Sequence, residues 1–191
     1  DHGLFGGNQA KGSAKRPSSM ARPPRATYLA RDIKTDVLVM GAGITGASIA
    51  DALAAAGVKV AVVDKRGLAR GSTMASTALV LYESDTPLIT LIRKIGKEKA
   101  VRAWRRSRLA VESLAVRLGE LGLADIARRD SLYLAGNVLG RKELQREHEA
   151  RQASGLPSRF LNRKALRDRY GIVRAAALTG YGNLVIDPRK S

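Results

Sequence analysis

The sequence has 191 residues, 34 Lys and Arg against 17 Asp and Glu, a formal net charge of +17, and no cysteine. That length is enough for one ordinary hydrophobic core. The missing cysteines exclude a disulfide framework, a thiolate metal site and a cysteine nucleophile, and His2 and His148 alone cannot build a zinc site, so no metal is expected.

The charge is uneven along the chain. Residues 36–90 carry −1, whereas residues 91–191 carry +13. A basic surface attracts polyanions. Here the arginines are scattered and Phe, Trp and Tyr make up 4% of the chain, so stacking platforms for single-stranded nucleic acid are lacking. Solvated helix faces account for the excess more simply.

Residues 1–32 mix Gly, Ser, Lys and Arg with Pro17, Pro23 and Pro24, and read as a disordered basic tail. No apolar signal core and no run of about 18 apolar residues occurs, so neither a secretory signal nor a membrane-spanning helix is expected, and the cytoplasm is the default location. Residues 33–191 show no linker or internal repeat and read as one domain.

Residues 36–41 form a buried-strand pattern ending in glycine. Residues 44–56 are rich in alanine, with Ile44, Ile49, Leu53 and Ala56 at helical spacing, and Gly57 follows as a left-handed cap. Residues 58–63, VKVAVV, form a second strand, which the crossover makes parallel to the first. Residues 97–121 read as a long amphipathic helix with Val101, Trp104, Val111, Leu114, Leu118 and Leu121 on one face. Ser131–Ala135 reads as a strand, and residues 141–153 as a charged, exposed helix. Asn162 is placed to cap a short helix through Tyr170. Residues 175–186 suggest two strands around a Gly180–Asn183 turn. Asp187-Pro188 reads as a helix start close to the last residue, which suggests a chain cut short.

Gly41-Ala42-Gly43-Ile44-Thr45-Gly46 is a full GxGxxG between the first strand and the helix. Gly41 permits the tight turn, Gly43 lets backbone approach a pyrophosphate, and Gly46 lets helix and strand pack closely. The helix N-terminus favours the phosphate charge. Asp64 ends the second strand twenty-three positions after Gly41, where a carboxylate accepts from a ribose hydroxyl and repels a 2′-phosphate. FAD or NAD is therefore favoured over NADP, and periodicity does not separate those two. After Lys65, the small hydroxyl-rich run Gly71-Ser-Thr-Met-Ala-Ser-Thr77 offers N–H and hydroxyl groups to a phosphate or a flavin ring.

These motifs resemble the FAD-dependent oxidoreductases of the D-amino-acid oxidase type, which include glycine and sarcosine oxidases and flavin-dependent glycerol-3-phosphate dehydrogenases. The resemblance rests on DVLVMGAGITGASIADALAAAGVKVAVVDKR, RGSTMASTALVLYESDTPL, SLYLA and VIDPRK, in that order, across residues 33–191. It implies an α/β fold: a Rossmann-like FAD-binding βαβ unit with parallel strands, helices and part of a substrate-domain sheet. It also implies that the chain holds only the N-terminal half of such an enzyme. FAD would lie with its pyrophosphate at Gly41, Ala42, Gly43, Ile44, Thr45 and Gly46 and its ribose at Asp64 and Lys65. Asp64 stands where the family usually has Glu. Arg70, Gly71, Ser72, Thr73, Ser76 and Thr77 would approach the pyrophosphate or flavin. With no cysteine and His148 in a charged segment, a noncovalent flavin is implied. The implied reaction is hydride transfer from a small amine, amino acid or polyol-type substrate. His148, Tyr82, Glu83, Tyr133 and Tyr181 are the acid–base candidates, each more often structural, and no catalytic residue is chosen. The competing readings are an NAD-dependent dehydrogenase and a noncatalytic basic fragment that binds polyanions.

Overall fold

The computed structural model describes residues 32–122 and 126–186. Apart from Asp32, the tail expected over 1–32 lies outside them, as does the helix start at Asp187-Pro188. The chain falls into two compact units, one running through Leu68 and the other starting at Ala69.

The first unit is strand β1 (Val37–Met40), helix α1 (Ile44–Ala55) and strand β2 (Val60–Val63). The strands pair in parallel, from Val37↔Val60 to Met40↔Val63. Alternation puts Val37, Val39, Val60 and Val62 on one face and Leu38, Met40, Ala61 and Val63 on the other. Helix α1 meets the first face, where a Cβ on Gly46 would lie 3.3 Å from Val39 Cγ1. On the second face Leu38 is 52% and Met40 80% exposed. The sheltered stripe of α1 is Gly46, Ala50 and Leu53, at i, i+4 and i+7. This corrects the expected stripe, because Ile44, Ile49 and Ala56 are exposed. The close approach at Gly46 turns the small side of the helix to the strands, and its larger side chains point away. The helix ends as expected: Gly57 has φ +79°, and the Val58 N–H reaches Leu53 O at 3.0 Å.

The second unit runs α2 (Ser72–Ala75), β3 (Leu79–Val80), α3 (Leu88–Ile95), α4 (Lys97–Glu120), β4 (Ala127–Leu134), α5 (Arg141–Ala153), β5 (Ser158–Asn162), α6 (Arg163–Tyr170) and β6 (Ala176–Val185). Its sheet is antiparallel throughout and organised on β6. Strand β4 pairs with β6 from Ala127↔Val185 to Leu134↔Ala177, β5 pairs from Ser158↔Gly180 to Asn162↔Ala176, and β3 pairs at Leu79↔Val185 and Val80↔Leu184. The turn expected at Gly180–Asn183 is not one, since β6 is a single strand. A register shift between Arg129 and Ser131 absorbs the irregularity as a bulge, so the glycines serve a bent central strand.

The main core joins Tyr82, Leu88, Ala100, Trp104, Val111, Leu156 and Leu184. Helix α4 contributes Ala100, Trp104, Val111 and Leu118 to burial, while Leu121, expected on that face, is 59% exposed beyond the helix end. Helix α5 corrects a second expectation. It is charged, but Leu144, Glu147 and Arg151 are buried. Both carboxylate oxygens of Glu147 accept from the start of α3: Leu88 N at 2.9 Å and Ile89 N at 2.8 Å. Pro87 gives α3 no side-chain cap, so Glu147 satisfies that helix end from another element. The Arg151 Nε–H donates to Glu147 Oε1 at 2.8 Å, and its guanidinium lies 4.7 Å from the centre of the Trp104 ring. Asn162 caps α6 as expected, its Oδ1 accepting from Ala165 N at 2.9 Å.

Candidate functional site

The glycine turn is built by backbone geometry. Gly41 leaves β1 with φ +112°, a conformation side chains rarely adopt, and its N–H still bonds Val63 O at 2.8 Å. A Cβ on Gly46 would overlap Gly41 O. The turn and the first helical turn are thus in contact, and only glycine fits between them. Helix α1 has no side-chain cap at Gly43 and no acid in its first turn, so nothing of that kind competes with an incoming anion.

Asp64 closes the turn from the other strand. Its Oδ2 accepts from Ala42 N at 2.9 Å, and its Oδ1 accepts from Arg66 N at 2.7 Å and Gly67 N at 3.1 Å. These bonds, the one from Ala42 foremost, hold the Asp64 carboxyl below its ordinary value of 3.8. A carboxylate oxygen accepts about two hydrogen bonds. Oδ1 already has two, while Oδ2 has one and keeps room for a hydroxyl on an exposed side chain. Residues 41–46 and Asp64 are therefore brought together as the spacing implied. Lys65 is exposed on the turn that follows.

Arg70, Gly71, Ser72, Thr73, Ser76 and Thr77 belong to the second unit. Ser72–Ala75 is a single helical turn, and Ser76 Oγ accepts from Ala78 N at 3.0 Å. Two alanines with positive φ, Ala69 at 55° and Ala78 at 53°, bracket the segment. Such a conformation is uncommon for a residue with a side chain and persists where the surroundings impose it.

The acid–base candidates separate clearly. Tyr82 is buried, its hydroxyl donating to Pro157 O at 3.3 Å and its ring edge-on to Trp104, and burial pushes its phenol up to about 12. His148 Nδ1 lies 2.9 Å from Ser158 Oγ, a helix-to-strand tie. Tyr181 is a half-buried position of β6. Glu83 and Tyr133, by contrast, line one cavity of about 300 Å³ together with Ser131 and Asp85. Glu83 Oε1 accepts from Ser131 Oγ at 2.6 Å and Asn183 Nδ2 at 3.4 Å. Neither Ser131 nor Asn183 stands out in the sequence, because only the pairing of β4 with β6 brings them to Glu83. Among the described residues no group of three or more His, Cys, Asp or Glu is placed to hold a metal, and no helix is long and apolar enough to cross a membrane.

A strand, a glycine turn closed on a helix, and a second parallel strand whose terminal acid folds back onto that turn make a dinucleotide-binding βαβ unit. Residues 36–191 match the family described as DAO, FAD dependent oxidoreductase, and the chain belongs to that family, whose cofactor is FAD. The aerobic glycerol-3-phosphate dehydrogenase of Staphylococcus epidermidis is 38% identical over 74 residues, 37% of this chain and 13% of that protein. Among solved structures, glycine oxidase from Bacillus cereus ATCC 14579 superposes with TM-score 0.58 and 23% identity, covering 82% of this chain and 41% of that one. Dithionite-reduced L-alpha-glycerophosphate oxidase from Mycoplasma pneumoniae with FAD bound gives TM-score 0.57 and 20% identity, covering 82% and 40%. The chain thus spans well under half the length of these proteins, and the two superpositions speak to fold alone.

Proposed function

We propose that residues 33–191 form the cofactor-holding portion of a flavin-dependent oxidoreductase whose substrate is a small amine, amino acid or polyol-type molecule. The observation that carries this reading is the bond from Ala42 N to Asp64 Oδ2 at 2.9 Å, which sets an acid at the mouth of the glycine turn. The residues fit the cofactor. A Cβ on Gly46 would fill the turn, and Asp64 Oδ2 keeps accepting capacity. Gly41, Ala42, Gly43, Ile44, Thr45 and Gly46 would hold the pyrophosphate against the α1 N-terminus, Asp64 would accept from a ribose hydroxyl, and Lys65 would add a nearby positive charge. Arg70, Gly71, Ser72, Thr73, Ser76 and Thr77 would offer a guanidinium, hydroxyls and backbone N–H groups to the pyrophosphate or the flavin. When bound, the flavin supplies a two-electron acceptor for hydride from the substrate. The chain's part is to position it and to neutralise its phosphates.

The test is dialysis of the purified chain with FAD, followed by a visible absorption spectrum. The reading expects retained flavin at about one per chain, released intact by acid denaturation. Retention of NAD in its place would favour the dehydrogenase reading. Steeply salt-dependent heparin binding by a folded chain that retains no dinucleotide would favour the polyanion reading.

A further inference from the structure

The positive charge of the chain is densest around one groove. Residues 93–108 carry eight Lys and Arg against a single acid, Glu98. There the outer side of α4 and the end of α5 enclose about 640 Å³, within the size range of small-molecule pockets. Lys97, Val101, Arg105 and Leu109 follow one another at four-residue steps along it, and Ala153 and Ser154 form the other wall.

Its cations are open and only partly engaged. Lys97, Arg102, Arg105 and Arg106 are all exposed. Arg102, Arg105 and Arg106 are neighbours on one turn of α4, so three like charges repel there and an anion among them relieves the repulsion. Arg105 is anchored, its Nε–H donating to Ser154 O at 3.0 Å. That partner is a carbonyl, so the charge stays unmatched and most of the guanidinium N–H donors remain. Arg102 meets Glu98 at 3.3 Å, but the two side chains are 54% and 87% exposed, and such a surface pair is weak enough to exchange. Among the described residues neither Lys97 nor Arg106 is paired with an acid. The carbonyl end of α5 opposes an anion, and Arg105 at Ser154 O offsets it.

Between the cations the groove is apolar. Leu109 is 61% exposed, and Val101 and Ala153 line the groove with it, as do the methylene stems of the arginines. An inorganic anion would leave that surface wet, and a protonated amine would meet like charge. No aromatic side chain is among the lining residues, so nucleic-acid bases have nothing to stack on.

We propose that this groove binds a small organic anion, its carboxylate or phosphate head among Arg102, Arg105 and Arg106 and its apolar body along Val101 and Leu109. Arg105 is the anchor, because its guanidinium is already held and loses little freedom when the ligand arrives. The site does not rest on the flavin reading: it lies within the second unit, and none of its residues is assigned to the cofactor.

The test is a methyl-resolved NMR titration of the full 191-residue chain with sodium hexanoate, n-hexylammonium chloride and sodium acetate. Hexanoate is expected to shift the Val101 and Leu109 methyls saturably, at concentrations about tenfold or more below any effect of the other two. Arg105→Gln should weaken hexanoate about tenfold, and Leu109→Ser, at an exposed position, about threefold. No saturable shift with hexanoate would overturn the proposal. An equal response to hexylammonium, or unchanged affinity in folded Arg105→Gln, would also overturn it. Should that variant not fold, Leu109→Ser and the wild-type preference for hexanoate over hexylammonium decide. Sedimentation with phosphatidylglycerol–phosphatidylcholine vesicles separates a lipid source of the same head group. Pelleting of a chain that gives no hexanoate response would assign the patch to a lipid surface and overturn the proposal.

Discussion

Helix α1 buries none of its residues, and the strands beside it leave Leu38 and Met40 open on one face; strand β6 is covered along most of its length, and around it even a glutamate and an arginine are buried. The first unit is held by backbone: a glycine turn, a parallel ladder, and one carboxylate that accepts three N–H groups. The second is held by side chains that meet across long stretches of sequence. Glu147 satisfies N–H groups 58 and 59 positions away, and Asn183 bonds Tyr82 N 101 positions away. Substitution should therefore hurt the two units differently, with function at stake in the first and stability in the second.

The largest expected effect is on stability. Glu147→Ala uncaps α3 and strands Arg151 in the core. It should cost about 3–5 kcal/mol in urea unfolding. Adding Arg151→Met to Glu147→Leu should recover only the part owed to the stranded Arg151, because the Leu88 and Ile89 N–H groups stay uncapped. Gly46→Ala comes next. Its Cβ would meet Gly41 O, so overpacking of about 1–3 kcal/mol is expected, together with at least about tenfold weaker FAD binding by fluorescence titration. In the second unit Asn162→Ala removes the α6 cap, for about 1 kcal/mol in thermal unfolding and no change in FAD affinity.

The smallest effect concerns Asp64, which is exposed and screened. Because its folded carboxyl titrates below the ordinary value of 3.8, it stabilises the fold above that pH. The contribution is lost as pH falls through the lower folded value. Asp64→Asn should flatten this acid limb in unfolding curves taken between about pH 2 and 5. An unchanged acid limb would show that the bond to Ala42 does not persist in solution.

This contrast also explains what could be read in advance. The strand, glycine turn, helix and second strand were legible because their signals are local: Gly41 to Gly46, the cap at Gly57, and Asp64 at a fixed spacing. Even there the buried side of α1 was misplaced, since apolar size pointed to Ile44 and Ile49 while close packing was decided by Gly46. The cap at Asn162 was legible for the same local reason. Helix α3 and strand β5 go beyond the elements expected from the sequence, although Leu88, Leu91, Ile92 and Ile95 repeat at helical spacing. Gly180 and Gly182 have the composition of a turn, yet β4 pairs with β6 on both sides of them, and the positive φ of Gly182 falls in the bulge. Glu147 and Arg151 look like solvated charges on α5, and only the docking of α3 makes them core residues. The Glu83 cavity was hidden in the same way. Glu83 itself could be named as a candidate, but the contacts to Ser131 and Asn183 exist only once the sheet is formed.

In the proposed function, the backbone turn closed by Gly46 and Asp64 holds FAD. The most direct measurement is a fluorescence titration of FAD into the wild-type chain beside Gly46→Ala, with both shown to be folded by circular dichroism. Saturable binding near one FAD per wild-type chain, with markedly weaker binding in the variant, is the predicted result. Equal affinity in the two proteins, or no binding by the folded wild type, would contradict it.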